Sequence, residues 1–123
     1  MLTILKTEPE TKTHNDTRYA LLRPYGKIDD NNLQKFEEVL ESLTQDNHAY
    51  LVFDLGELNF INSKVVGFLA ITQNRLSNDD KKIVFMNANP EILEILELVG
   101  LMESIPHFDQ EAELIAALER EEL

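Results

Sequence analysis

Two short, almost uninterrupted apolar runs, Tyr50-Leu51-Val52-Phe53-Asp54-Leu55 and Lys82-Ile83-Val84-Phe85-Met86, constrain this chain more than any other feature. A strand with one wet face alternates apolar and polar residues, so a strand that is apolar throughout must be covered on both faces. Strands of that kind belong to parallel sheets, whose crossovers are usually helices. Between the two runs the period changes to that of a helix. From Ser63 onward Val66, Leu69, Ala70 and Leu76 are placed to face inward, and Ser77-Asn78-Asp79-Asp80 closes the segment. A strand, a helix and a second buried strand make a right-handed βαβ unit and fix the class as α/β.

The rest of the chain extends this unit. Leu2–Leu5 and Tyr19–Arg23 read as strands, and residues 7–17 between them, polar and carrying Pro9, read as a loop. Joined without a helix, these two strands predict an antiparallel pair at one edge. Pro24 and Gly26 stop the second. Asp29-Asp30-Asn31-Asn32 offers N-cap residues, and Leu33, Phe36, Leu40 and Leu43 follow at helical spacing with Glu37, Glu38 and Glu41 opposite. Gly56 to Asn59 read as a turn. Asn89-Pro90-Glu91 has the form of an N-cap with proline at the first helical position, and Ile92, Leu93, Leu96 and Val99 lead to Gly100. Ser104-Ile105 reads as a last strand, and Asp109 opens a final helix through Leu114, Ile115 and Leu118 before a fraying tail. The expectation is one domain over 1–123, with 1–18 its less regular part. It is a mixed sheet with a mostly parallel centre, flanked by about four helices.

Charge narrows the partners. With 23 acids against 11 bases the net charge is −12, and such a surface repels phosphate backbones and anionic lipid. Nucleic acid and direct membrane insertion are therefore not expected, whereas a protein partner is. There is no cysteine, hence no disulfide, thiolate metal site or cysteine nucleophile. No apolar run approaches bilayer length, and the first residues turn polar too soon for a signal peptide, so the expected address is the cytoplasm.

A search for catalytic chemistry finds little. His14, His48 and His107 have no metal-ligand spacing, and the four glycines form no phosphate loop. Glu37/Glu38 and Asp79/Asp80 read as solvated helix and loop residues. Asp54 ends a central strand, where a two-component receiver domain carries its phosphorylated aspartate. A receiver also needs an acidic pair after its first strand and a lysine after a later one. Here Lys6-Thr7-Glu8-Pro9-Glu10 is a poor substitute, and no lysine follows Lys82. Asp54 is expected to be structural; no enzyme activity, cofactor or metal is expected.

The stretch Asp54-Leu55-Gly56-Glu57-Leu58-Asn59-Phe60-Ile61-Asn62-Ser63-Lys64-Val65-Val66-Gly67 resembles the STAS domain of anti-sigma-factor antagonists. In that family a strand ends in Asp-Leu, a turn and an apolar pair follow, and Asp-Ser-Ser-Gly opens a helix. Tyr25-Gly26-Lys27-Ile28-Asp29 resembles the family's Gly-Glu-Leu-Asp, and Asn89-Pro90-Glu91 with Leu96-Glu97-Leu98-Val99-Gly100-Leu101 resembles its late helix. The resemblance runs in order from about Tyr19 to the last helix and implies a STAS-like sheet. It also implies a partner that is both serine kinase and anti-sigma factor. That kinase phosphorylates the first serine of the motif, here Ser63, and a serine phosphatase resets it. The partner contact is then expected at Gly26, Lys27, Asp29, Asn62, Ser63, Lys64, Val65 and Val66.

This sequence departs from the motif at three places: Asn62 stands for Asp, Lys64 for the second Ser and Val65 for Gly. Two alternatives stay open at this point. Ser63 could serve only as a helix N-cap. The domain could also be a non-phosphorylated STAS docking subunit of a lipid-transport or transporter assembly.

Overall fold

The structure, a computed structural model, describes residues 4, 5 and 7–123. Along the chain run strands β1 (Glu10–His14), β2 (Thr17–Leu22) and β3 (Gly26–Ile28), helix α1 (Leu33–Thr44), and strands β4 (Tyr50–Asp54) and β5 (Leu58–Ile61). Helix α2 (Ser63–Asn78), strand β6 (Lys82–Met86), helix α3 (Pro90–Leu98), a 3₁₀ turn (Leu101–Glu103), strand β7 (His107–Phe108) and helix α4 (Glu111–Glu119) follow. The main sheet has the order β1-β2-β4-β6-β7, with only β1 antiparallel to its neighbour; β3 and β5 form a separate parallel pair. The mixed, mostly parallel sheet and the four helices agree with the sequence reading.

The apolar runs are explained by strict alternation between two cores. Leu51 and Phe53 of β4, Ile83 and Phe85 of β6, and Ala20 and Leu22 of β2 face a large cluster completed by α1, α2 and α3. Val52, Val84, Met86, Tyr19 and Leu21 face the opposite cluster, closed by Leu114 and Leu118 of α4. The parallel strands follow one another across the sheet in chain order, so right-handed crossovers stack the first three helices on one face. Phe53 packs edge-on against Phe36 of α1 at 6.0 Å and against Phe85 at 5.9 Å, so the aromatic contacts run from helix through sheet. Burying each such side chain contributes about 1.5–3 kcal/mol.

Several elements differ from the sequence reading. The stretch read as a loop, 7–17, contains β1, which pairs with β2 around Asn15-Asp16. Both turn residues have positive φ, 49° and 65°, as a type I′ hairpin requires. Of the strand expected at 2–5, residues 2 and 3 lie outside the described residues; Leu5 makes a single bridge to Pro24, and the Tyr25 amide donates to the Ile4 carbonyl. The edge pair is therefore β1 with β2. The turn expected at 56–59 is shorter, because β5 begins at Leu58. The last strand is β7, not Ser104-Ile105. Ile105 is fully buried in the larger cluster, and the chain joins β6 only after it, where the Phe85 amide donates to Pro106. Val99, expected to continue the helix, is instead its C-cap just past the end of α3, and it is exposed.

Helix α2 is tied to the sheet by a polar side chain. Gln73 is 6% exposed; its Oε1 accepts the Ile83 amide of β6 at 2.8 Å and its Nε2 donates to the Ser104 carbonyl at 3.4 Å. Removing that acceptor leaves a buried N–H without a partner, which costs about 1–3 kcal/mol. Gln73→Ala is expected to lower the melting temperature by several degrees; an unchanged melting curve would show that the bond contributes nothing. His107 supplies a second check. Its Nε2 accepts the Ala88 amide at 3.2 Å, so that nitrogen is unprotonated, and burial holds the imidazole below the ordinary histidine value against the pull of Asp109, Glu113 and Glu97. A depressed pKa means the contribution is full above the unfolded value and is lost as pH falls through the folded one. Chemical denaturation from pH 7.5 downward should show a loss of stability that is smaller in His107→Gln; parallel curves for the two proteins would refute it.

Candidate functional site

At its C-terminal edge the sheet passes the chain into two parallel junctions. β3 leads into the turn 29–32 and then α1; β5 leads directly into α2. Pairing of β3 with β5 brings these junctions together, with Ile28 opposite Ile61 and Lys27 opposite Phe60. The pairing begins at Gly26, whose amide donates to Glu57 O at 3.0 Å and whose φ of 71° favours glycine. The register shifts between Gly26 and Lys27.

The first turn of α2 is capped by Asn62, not by Ser63. Asn62 has extended backbone, and its Oδ1 accepts the Val65 amide at 3.1 Å. Ser63 is thus the first helical residue, exposed, and its hydroxyl has no hydrogen-bond partner among the described residues. The capping role that Ser63 was open to playing belongs to its neighbour, since a cap must precede the helix and reach back to the amide three residues on. Behind the cap Val65 is fully buried in the main core. Its expected place in a partner contact is corrected: the side chain anchors the first turn from inside and is covered. Val66 is partly buried and Gly67 is exposed.

Of the other expected site residues, Lys27 is exposed and Gly26 and Asp29 are half-buried. Asp29 Oδ1 accepts the Asn31 amide, while Asn32 accepts the Asp29 amide through Oδ1 and donates to Lys27 O at 2.7 Å. These bonds fold the turn on itself, so Asn32 sits at the start of α1 with no side-chain cap bond to the helix.

The residue that sequence reasoning missed is Asp30. One carboxylate oxygen accepts Asn62 Nδ2 at 2.7 Å and the other accepts Lys64 Nζ at 3.2 Å. The Asn62 amide first, and then the Lys64 ammonium, hold its carboxyl below the usual carboxylate range. Its partners lie 32 and 34 residues away in sequence, and only the β3–β5 pairing makes them neighbours. The one visible signal is that position 62 carries an amide donor where the family carries an anionic Asp, and position 64 a cation where it carries a neutral Ser.

Nearby, Arg23, Asp54, Asn87 and Asn89 line an open cleft of about 550 Å³. Asp54 is fully engaged there: Oδ1 accepts Asn87 Nδ2 at 3.0 Å and the Gly56 amide at 3.1 Å, and Oδ2 lies 3.5 Å from Arg23 Nε. Such bonds give Asp54 the strand-end role expected of it. Among the described residues no group of three or more His, Asp or Glu is placed to hold a metal ion, and no helix is long and apolar enough to cross a membrane. The histidines stand apart, His14 on Glu119, His48 on Thr11 and His107 on Ala88.

Known proteins share this architecture. The STAS domain family profile matches residues 8–114. The anti-sigma-B factor antagonist of Staphylococcus aureus (strain NCTC 8325 / PS 47) is 22% identical over 92 residues, spanning 75% of this chain and 85% of that protein. An anti-sigma factor antagonist from Mycobacterium paratuberculosis superposes with a TM-score of 0.75 at 20% identity, over 90% of this chain and 92% of that one. The unphosphorylated form of the anti-sigma factor antagonist SpoIIAA superposes with a TM-score of 0.70 at 15% identity, covering 90% of this chain and 96% of its own. For the phosphorylated form of the Bacillus protein the TM-score is 0.62 at 15% identity, with 89% and 98% covered. The structural likenesses show a common fold, and the profile spans nearly the whole of it: this chain belongs to the STAS domain family.

Proposed function

We propose that the chain is an anti-sigma-factor antagonist, a binding protein and not an enzyme, that docks on a serine-kinase anti-sigma partner and is switched by phosphorylation of Ser63. The observation that carries the reading is the state of Ser63: an exposed hydroxyl with no hydrogen-bond partner among the described residues, on the first turn of a helix whose cap is supplied by another residue. A kinase must extract the hydroxyl from whatever bonds it makes, and among the described residues it makes none. The amides of a helix's first turn and the positive end of its dipole also suit an added phosphate.

The partner face combines Gly26, Lys27 and Asp29 with Asn62, Ser63, Lys64 and Val66. A phosphate at its centre adds about −1.5 to −2 charge to an interface shaped for a neutral hydroxyl. Like charge brought together there costs several kcal/mol, and each ~1.4 kcal/mol is tenfold in affinity. A serine phosphatase restores binding. That SpoIIAA, a protein of the same fold, has been solved in phosphorylated and unphosphorylated forms supports this reading. The burial of Val65 supports it too, because the bulk that departs from the motif's glycine is not presented to a kinase.

Ser63→Asp is expected to weaken binding to the cognate anti-sigma kinase by tens-fold or more, while Ser63→Ala binds like unphosphorylated wild type, as measured by calorimetry. Equal affinities for all three would transfer the protein to the docking-subunit reading. Because Ser63 is not the cap, both variants should melt within a degree or two of wild type. Asn62→Ala removes the cap and should cost about 1 kcal/mol and several degrees. If the Ser63 variants instead lost the stability and Asn62→Ala did not, the assignment of the cap would be wrong.

A further inference from the structure

Asp30 is gripped by the two residues that flank Ser63. Asn62 donates to one carboxylate oxygen at 2.7 Å and Lys64 to the other at 3.2 Å. Both gripping residues are departures from the motif, and both departures land on the same carboxylate. With Asp at position 62 the carboxylate of Asp30 would face another carboxylate; with Ser at 64 it would lack its cation. The two substitutions therefore act on the same carboxylate, Asn62 through one oxygen and Lys64 through the other.

We propose that Asp30 is a positioning residue for the switch: it holds Lys64 in a charge-neutral latch while Ser63 is unmodified, and phosphoserine at 63 takes the lysine from it. This rests on the proposed phosphorylation of Ser63.

Chemistry favours the exchange. Asp30 presents one negative charge, shared with the Asn62 amide, whereas the phosphate presents about −1.5 to −2 on three acceptor oxygens. Adjacent helical residues point about 100° apart, and the four-carbon stem of lysine spans that arc. The latch is exposed on both sides, with side-chain exposures of 67% for Lys64 and 60% for Asp30, so it is weak enough to open. The other charged groups of the facing segment are Lys27, exposed on β3, and Asp29, whose Oδ1 accepts the Asn31 amide. Once Lys64 leaves, Asp30 keeps the Asn62 amide but has no counter-ion on the β3–α1 junction, while the phosphate stands on the β5–α2 junction. Both halves of the partner face then carry negative charge. One modification reaches both segments although it touches only one.

The test needs no kinase. Phosphoserine is placed at 63 by nonsense-codon suppression, and the Asp30 carboxyl and the phosphate are titrated by carbon and phosphorus NMR, in the wild-type background and in Lys64→Gln. In the unmodified protein Asp30 should titrate below an ordinary aspartate, and Lys64→Gln should raise it. In the phosphoserine protein Asp30 should titrate higher than in the unmodified one. The phosphate's second ionisation, ordinarily near pH 6, should lie about 0.2–0.7 pH unit lower in the wild-type background than in Lys64→Gln, the span an exposed ion pair supports. An Asp30 titration that does not respond to the phosphate overturns the proposal. So does a phosphate that titrates alike in both backgrounds, even if Asp30 moves, because simple repulsion then explains the shift. Neither result bears on whether a kinase uses Ser63, which the affinities of the Ser63 variants decide separately.

Discussion

Everything in this fold follows from β4 having to be covered on both faces. Its five residues carry Leu51 and Phe53 to one side and Val52 to the other, all at most 3% exposed. A strand so apolar needs a strand on each edge to satisfy its backbone and a layer on each face to exclude water. β2 and β6 take the edges in parallel, and the crossovers that make them parallel become the helices that cover one face. The other face is left to α4, which reaches it only after β7 has added the last strand. Tyr19 and Lys12 fix that helix from the sheet side: the tyrosine hydroxyl donates to Glu111 at 2.8 Å and the lysine ammonium to the same carboxylate at 2.9 Å.

The site is a by-product of the same demand. Parallel strands deliver all their C-terminal ends to one edge, and there the chain must turn into helices. At two of those turns it pauses to form the β3–β5 pair. This small ladder contributes Ile28, Leu58 and Ile61 to the core, and it holds the openings of α1 and α2 side by side. With Val65 sunk in the core and Asn62 closing the first turn, Ser63 is displayed on a rigid support and not on a loose loop. Under the proposed switch, a partner would meet this segment already ordered, so little binding energy would be spent on conformational entropy.

How much of this could be read in the sequence depended on whether a residue's partner was nearby in the chain. The buried strands were legible because two-sided burial writes an apolar run, and β6 falls where the run does, at Lys82–Met86. Helix α3 was legible because Asn89 and Pro90 are local signals, and Asn89 Oδ1 does accept the Ile92 amide. β1 was not. Glu10-Thr11-Lys12-Thr13-His14 is an edge strand with mostly wet side chains, so it has no apolar run, and its turn is Asn-Asp in place of the commoner Asn-Gly. β7 was displaced because Ile105 is apolar for the core's sake and not the sheet's. At the site, motif order placed Ser63 at the mouth of α2, but the split of duties between Asn62 and Ser63 turns on a shift of one residue. Asp30 was the hardest to reach: nothing at position 30 announces a partner on another helix, and only the changes at 62 and 64 hint that a carboxylate faces them.

The charge of the protein as a whole sharpens what a switch at Ser63 must do. A phosphate changes a net charge of −12 by roughly a sixth, too little to alter how the molecule is seen from a distance. At physiological salt, fields between exposed charges fade over about 8 Å. Exposed acids farther than that from the α2 mouth therefore contribute little there, and nearby groups dominate. Lys64 and Asp30 cancel one another there in the unmodified chain. A partner docking there as proposed would meet a paired Asp30 and Lys64, and negative charge added beside a neutralised pair makes a larger local contrast than charge added among unpaired acids. The acidity of the remaining surface does not oppose the switch. It repels unrelated anionic molecules, and under the proposed switch the contrast a phosphate makes would be set locally, by the Asp30–Lys64 pair beside Ser63.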